Sequence, residues 1–312
     1  MRQVRHALLL IAPLVFAAGC AKESGLATSK TIGVTLLTRE HEFYRQLEAG
    51  LQEAAIAKGY KLIVTSGDFD LAKQQSQIDN FLVQKVDAII VCPVDSKGIV
   101  PAIEKANAGK IPVFTADISS QGGQVVAHVA SDNIAGGKLA AQFIARTIGE
   151  TGDVGIVGQP EVQTTIDREA GFREAMKAYP KISIVASISG AGVRDRAMKA
   201  ADDMFQAHPS ISGIFAINDE SALGVLASAQ SHKKSKVVIV GYDATPEALK
   251  AITDGTPLKA DVAQQPKEIG ARTIDAIASY FEGKPPVSRV AVPVRIVDAD
   301  SARALVAAMK KP

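Results

Sequence analysis

Four apolar runs of the chain end on a residue able to hydrogen-bond. "IPVFTAD" ends on Asp117, "GIFAIN" on Asn218, "VVIVGYD" on Asp243 and "LKADVAQ" on Gln264. His41, Phe43 and Tyr44 come soon after another such run, "TIGVTLL". Ionised carboxylates accept hydrogen bonds, amides donate and accept, and aromatic rings cover C–H surface. A single polar strand end is usually a helix cap. Four of them, with two adjacent rings, suit a polyhydroxyl ligand. Within "NDES" the spacing assigns Asn218 to such a site, and leaves Asp219 and Glu220 to stabilise the first turn of the following helix.

These residues need elements to place them. From Thr31 onward, apolar β-type runs alternate with amphipathic, helix-length segments. The first such segment sets Phe43, Leu47, Leu51 and Ala54/Ala55 on one helical face and stops at Gly59. "YKLIVTS", "VDAIIVC", "VVAHVA", "DVGIVG" and "ISIVASI" repeat the strand pattern between and around the runs already quoted. Continuous apolar strands alternating with helices predict parallel sheets covered on both faces. There are too many units for one comfortable sheet, so an α/β chain with two doubly wound domains is expected, and 312 residues agree with that. In such sheets ligands bind outside the carboxyl ends of the strands, where Asp117, Asn218, Asp243 and Gln264 stand.

Composition narrows the function. Hydrophobic residues make up 47% and charged residues 22%, enough apolar mass for sizeable cores. At the N-terminus, Arg2 and Arg5 precede the apolar stretch 7–18, followed by Gly19 and Cys20. This order predicts a secretory signal over residues 1–19, too short to span a membrane as a mature helix. "FAAGC" is similar to a bacterial lipoprotein signal, which implies a lipid on Cys20 and an exported, periplasmic or cell-surface protein. Removing Arg2 and Arg5 takes the formal net charge from +2 to zero, leaving no basic footprint for nucleic acid. Cys92, inside "VDAIIVC", has no disulfide partner left and reads as a small buried hydrophobe. His128 in a strand run and His208 at a helix end read as structural.

Motifs for catalysis and cofactors fail residue by residue. His41-Glu42 begins like HExxH, but Arg45 stands where the second histidine belongs. "AGGKLA" lacks the earlier glycine of a phosphate loop, because that position is Asp132, and no Ser or Thr follows Lys138. "GAGV" lacks the third glycine of a dinucleotide fingerprint, and no G-x-S-x-G occurs. No metal and no cofactor is expected.

"VVAHVASDNIAGGKLA", "AHPSISGIFAINDESALG", "VVIVGYDATPEA" and "VAQQPKEIGA" together resemble the periplasmic sugar-binding proteins of the ribose-binding type, which feed ABC importers. The resemblance runs from about Thr31 to about Val297. It implies two doubly wound parallel-sheet lobes joined by a three-strand hinge, closing around one monosaccharide. The crossings fall near Ser131/Asp132, Gln264/Gln265 and Pro293. The N-terminal lobe is then 31–131 plus 265–293, and the C-terminal lobe 132–264 plus 294–312. Beyond Val297, "DADSARALVAAMKK" reads as an added amphipathic helix.

The resemblance also implies site roles. His41 stands where the family has an amide or similar polar group, and Phe43 and Tyr44 match two ring-stacking aromatics. Asp117 matches a carboxylate and Arg168, in "IDREAGF", a guanidinium. Asn218, Asp243 and Gln264 match the remaining polar contacts. Two positions depart from the pattern. Ile118 replaces an arginine, and Gly192 replaces an aromatic wall, which is expected to open room in the pocket. A neutral monosaccharide or sugar alcohol other than ribose is the expected ligand, with a permease and its ATPase as partners and a monomeric chain. Three other readings stand beside this one: a sensor module for a chemoreceptor or kinase, a glycosidase using Asp117 and Asp243, and a sugar-responsive repressor. The last would need a DNA-binding segment where the signal lies.

Overall fold

The computed structural model describes residues 29–309. The 1–19 segment and Cys20 lie outside the described residues. The chain opens with β1 (Thr31–Leu36), α1 (Glu42–Ala57), β2 (Lys61–Ser66), α2 (Leu71–Gln84), β3 (Ala88–Val91), α3 (Val100–Ala108), β4 (Val113–Ala116) and β5 (Ala127–Ser131). It continues with α4 (Asn133–Thr147), β6 (Gly152–Gly158), α5 (Gln163–Met176), β7 (Ile182–Ser189), α6 (Arg194–Ala207) and β8 (Ile211–Ala216). Then come α7 (Asp219–Ser231), β9 (Val238–Asp243), α8 (Pro246–Thr253), β10 (Leu258–Ala263) and α9 (Pro266–Phe281). The edge strands β11 (Arg289–Val292) and β12 (Arg295–Val297) and the helix α10 (Ala299–Met309) close the order.

The strands form two six-stranded sheets, ordered β2-β1-β3-β4-β5-β11 and β7-β6-β8-β9-β10-β12. Every pairing is parallel except β10 with β12. Both sheets therefore reverse their strand order beside the first strand of each, which is where α/β sheets open a crevice. β3 shows why its run is apolar throughout: all four residues are inaccessible to water, as a strand covered on both faces requires. On α1, Phe43, Leu47, Leu51 and Ala55 are buried at fourfold spacing. Cys92 is fully buried in the same core.

Three passages of chain link the sheets. One follows β5 at Ser131, a second follows β10 where α9 returns to pack on α1, and the third joins β11 to β12 through Pro293 and Val294. The last two strands are absent from the ten apolar runs of the sequence. They are short edge strands with exposed Arg289 and Arg295, and Pro293 separates them. The added C-terminal helix is present as α10 and packs on α8. His128 is buried in β5, its Nδ1 against Thr115 Oγ1 at 2.9 Å, and burial lowers its pKa to about 4.

Candidate functional site

The carboxyl ends of the two sheets face one cleft, with about 400 Å³ of empty volume. His41, Phe43, Tyr44, Asp117, Arg168, Asn218, Asp243 and Gln264 all line it, as does Ile118. From the first sheet, His41 ends the loop after β1 and holds the N-cap position of α1, which carries Phe43 and Tyr44 into the cleft. The two rings meet edge to face, with centroids 5.1 Å apart. Tyr44 Oη donates to Asp117 Oδ2 at 2.7 Å, leaving Oδ1 of that carboxylate buried without a partner among the described residues. Burial pushes the Asp117 carboxyl up to about 6, against the pull of Arg168 and the Tyr44 hydroxyl. Burial also lowers the His41 pKa, so its ring is neutral near pH 7.

The second sheet contributes the guanidinium. Arg168 lies on α5, and α4 can approach α5 closely because Gly137 has no side chain: a Cβ there would sit 1.9 Å from Arg168 O. Arg168 Nε donates to Asn133 Oδ1 at 2.9 Å and Nη1 to Ile217 O at 2.6 Å, while its Cζ lies 3.7 Å from the Tyr242 ring centroid. Among the described residues no protein acceptor takes Nη2. Asp243 Oδ1 accepts from Gln264 Nε2 at 2.6 Å and stands 4.0 Å from Arg168 Nη1. Gln264 Oε1 is the second buried, unpartnered acceptor at the cleft. The arrangement offers acceptors at Asp117 and Gln264, a donor at Arg168, and an aromatic wall.

The structure corrects one expectation from sequence. Gly192 does not line the cleft and opens no room there. It takes φ +71°, and a Cβ on it would lie 2.4 Å from Gln159 Oε1. The Gln159 amide fills the space above it, while Gly192 O accepts from Asn218 Nδ2 at 3.0 Å. Asn218 also caps α7, accepting from the Ser221 amide at 2.9 Å, so cap and cleft are served by one side chain. Asp219 stands in the first turn of α7 as expected, yet is 2% exposed and accepts from the Thr245 amide at 2.7 Å. Glu220 pairs with Arg194.

Sequence reasoning missed Phe69, Gln159, Thr164 and Thr165, all of which line the cleft. Gln159 directly follows β6 and obeys the strand-end rule that found its neighbours. Phe69 sits in the loop after β2 at φ +62°, edge to face with His41 at 5.5 Å, and no periodic pattern marks it.

The lobes are tied together at the cleft mouth. The Ser96 amide donates to Glu161 O at 3.0 Å, and Ser96 Oγ accepts the Gln163 amide at 2.9 Å. That second bond satisfies an amide at the start of α5, whose N-cap residue Val162 has no side chain able to do so. Gln121 Nε2 donates to Gln163 Oε1 at 2.7 Å, and Thr164 Oγ1 to Asp117 O at 3.3 Å.

Two doubly wound parallel-sheet lobes with a polar cleft between their strand ends define a periplasmic binding protein of type 1 fold. The periplasmic binding protein domain family matches residues 32–285. The ribose import binding protein of Bacillus subtilis is 35% identical over 279 residues, covering 88% of this chain and 90% of that protein. Its Escherichia coli counterpart is 34% identical over 271 residues, with 86% and 90% coverage. A solute-binding protein of Actinobacillus succinogenes solved with bound D-allose is 29% identical, with TM-score 0.81, covering 88% of this chain and 100% of that one. One from Mycobacterium smegmatis with bound glycerol is 30% identical, with TM-score 0.84 and coverage of 89% and 97%. The chain belongs to the ribose-type periplasmic sugar-binding proteins.

Proposed function

We propose that this protein is an extracytoplasmic solute-binding protein that closes two lobes around a neutral monosaccharide or sugar alcohol and delivers it to an ABC importer. The observation that carries the reading is the pair of buried acceptors left without protein donors at the cleft, Asp117 Oδ1 and Gln264 Oε1. A buried acceptor without a donor costs roughly 1–3 kcal/mol, so the cleft favours a ligand bringing hydroxyl donors to both. Asp117 and Asp243 face a single guanidinium, a poor setting for an acidic or phosphorylated sugar.

Ile118 presents no donor, and Gly192, matched to an aromatic of the ribose-type pattern, carries no ring, the Gln159 amide lying beside it instead. These two features support a preferred ligand other than ribose. Asp117 and Asp243 serve to hold hydroxyls and need not exchange protons, so the protein binds without catalysing. The moving bodies are residues 31–131 with 265–293, and 132–264 with 294–312. A lipid on Cys20 anchors the exported monomer, and the permease with its ATPase receives the cargo.

A thermal-shift panel tests the ligand class. D-ribose, D-allose, D-tagatose, xylitol, glycerol and myo-inositol are compared with sugar phosphates, uronic acids and amino acids. A neutral member is expected to raise the unfolding midpoint most. A shift confined to the charged compounds would overturn the reading.

A further inference from the structure

Behind the cleft lie two further buried oxygens with no partner among the described residues, Asp219 Oδ1 and Asp261 Oδ2. Asp261 sits inside β10 with no exposure, and Asp219 opens α7 at 2% exposure. Both oxygens converge on the bare face of Gly241, where a Cβ would lie 2.4 Å from Asp261 Oδ2 and 2.9 Å from Asp219 Oδ1. Two ionised carboxylates cannot share so small and dry a space. One proton between them turns the repulsion into a charge-assisted hydrogen bond.

The outer oxygens of the same pair grip one loop. Asp261 Oδ1 accepts the Ala244 amide at 2.9 Å, and Asp219 Oδ2 accepts the Thr245 amide at 2.7 Å. That loop needs holding. Asp243 has φ +123° and Ala244 φ +59°, two consecutive side-chain-bearing residues in a region L-residues disfavour. The Asp243 carboxylate at the head of this turn faces the cleft.

We propose that Asp219 and Asp261 are positioning residues for Asp243, sharing one proton so that the pair clamps the Ala244 and Thr245 amides and holds the turn that aims Asp243 at the ligand. The inference rests on the reading of Asp243 as a ligand contact. Burial and the neighbouring Asp261 hold the Asp219 carboxyl well above the usual range, which suits one proton held between Asp219 Oδ1 and Asp261 Oδ2. Burial lifts the Asp261 carboxyl as well, to about 7.

Asparagine distinguishes this clamp from ordinary packing. In Asp219→Asn the amide Nδ2 replaces the shared O–H, and the amide oxygen still accepts from Thr245. In Asp261→Asn the donor is on the other side, and Asp219 becomes the carboxylate. In the double variant two NH₂ groups face one another, and turning either round forfeits a loop acceptor. Amide hydrogen exchange at Ala244 and Thr245 is measured in the ligand-free full chain. Calorimetry then uses the tightest binder among D-ribose, D-allose, xylitol and myo-inositol.

Each single asparagine is expected to keep protection within about threefold, whereas the double variant and Asp219→Ala lose about tenfold or more. Affinity should follow the same order. If Asp219→Asn is as damaging as Asp219→Ala, or if the double variant equals the singles, the shared proton is refuted. Should the double variant not fold, the contrast between the Asn and Ala variants at 219 decides. Lost protection with unchanged affinity would overturn the positioning role. A panel that binds nothing would count against the proposed function, while the exchange data would still judge the clamp.

Discussion

Replacing Asp117 by asparagine should move binding and stability in opposite directions. The position has φ +62°, which asparagine tolerates better than most residues, so the exchange adds little backbone strain. The amide oxygen of the variant can still accept from Tyr44, whose bond to Asp117 Oδ2 is 2.7 Å. The cleft-facing acceptor then becomes an NH₂ donor. Losing a hydrogen bond to a charged acceptor costs about 1.5–3 kcal/mol, roughly 10- to 150-fold in affinity. Stability runs the other way. The folded-state pKa is raised from 3.8 to about 6, so the carboxyl's contribution is fully present below about pH 4 and is lost as pH rises through 6. That shift of about two units corresponds to about 3 kcal/mol, as an order of magnitude, against the folded ionised form. Asparagine does not ionise, so at pH 7.5 the ligand-free variant should unfold later than the parent, and the gain should vanish near pH 4. Calorimetric titration and denaturant unfolding at both pH values read the two effects. Affinity within twofold of the parent, or a variant destabilised at pH 7.5, would refute the reasoning.

Ser96 is fully buried, does not line the cleft, and bonds the opposite lobe. Ser96→Ala should weaken ligand affinity roughly 2- to 12-fold, the worth of a neutral hydrogen bond, with a more open form in small-angle scattering. Unchanged affinity and shape would remove Ser96 from the closure contacts. Phe69→Ala takes away a ring of the cleft and should cost about tenfold in affinity with little change in midpoint, read by calorimetry and thermal unfolding. Ligand affinity should fall as pH drops through about 6, because protonated Asp117 no longer offers a free acceptor. Binding at pH 5.5 should then take place with proton release, visible as a buffer-dependent enthalpy.

The strand-end rule made four polar residues of the cleft legible. Asp117, Asn218 and Gln264 follow a buried strand and Asp243 ends one, and a covered parallel sheet leaves such residues one common place to go. Arg168 was not legible that way, because it lies mid-helix and is aimed by Asn133 and by the close α4–α5 contact. It came through family resemblance alone. Gln159 was within reach of the rule and was passed over. Phe69 was not, since its placement depends on a left-handed loop that no periodicity encodes. Asp219 looked like a helix-start carboxylate, and only the fold shows it turned inward against Asp261. The carboxylate inside the apolar run "LKADVA" was the sequence's one sign of that pair. The edge strands β11 and β12 escaped because an edge needs no continuous apolar run.

The most direct test of the central claim is a crystal structure with the tightest-binding neutral sugar or polyol from the panel. The account predicts one ligand enclosed between the lobes, its C–H surface on the Phe43 and Tyr44 wall. Ligand hydroxyls should lie within about 3.2 Å of both Asp117 Oδ1 and Gln264 Oε1, with Arg168 Nη2 donating to a ligand oxygen. A ligand seated outside the cleft, or one that leaves both acceptors unpaired, would contradict it.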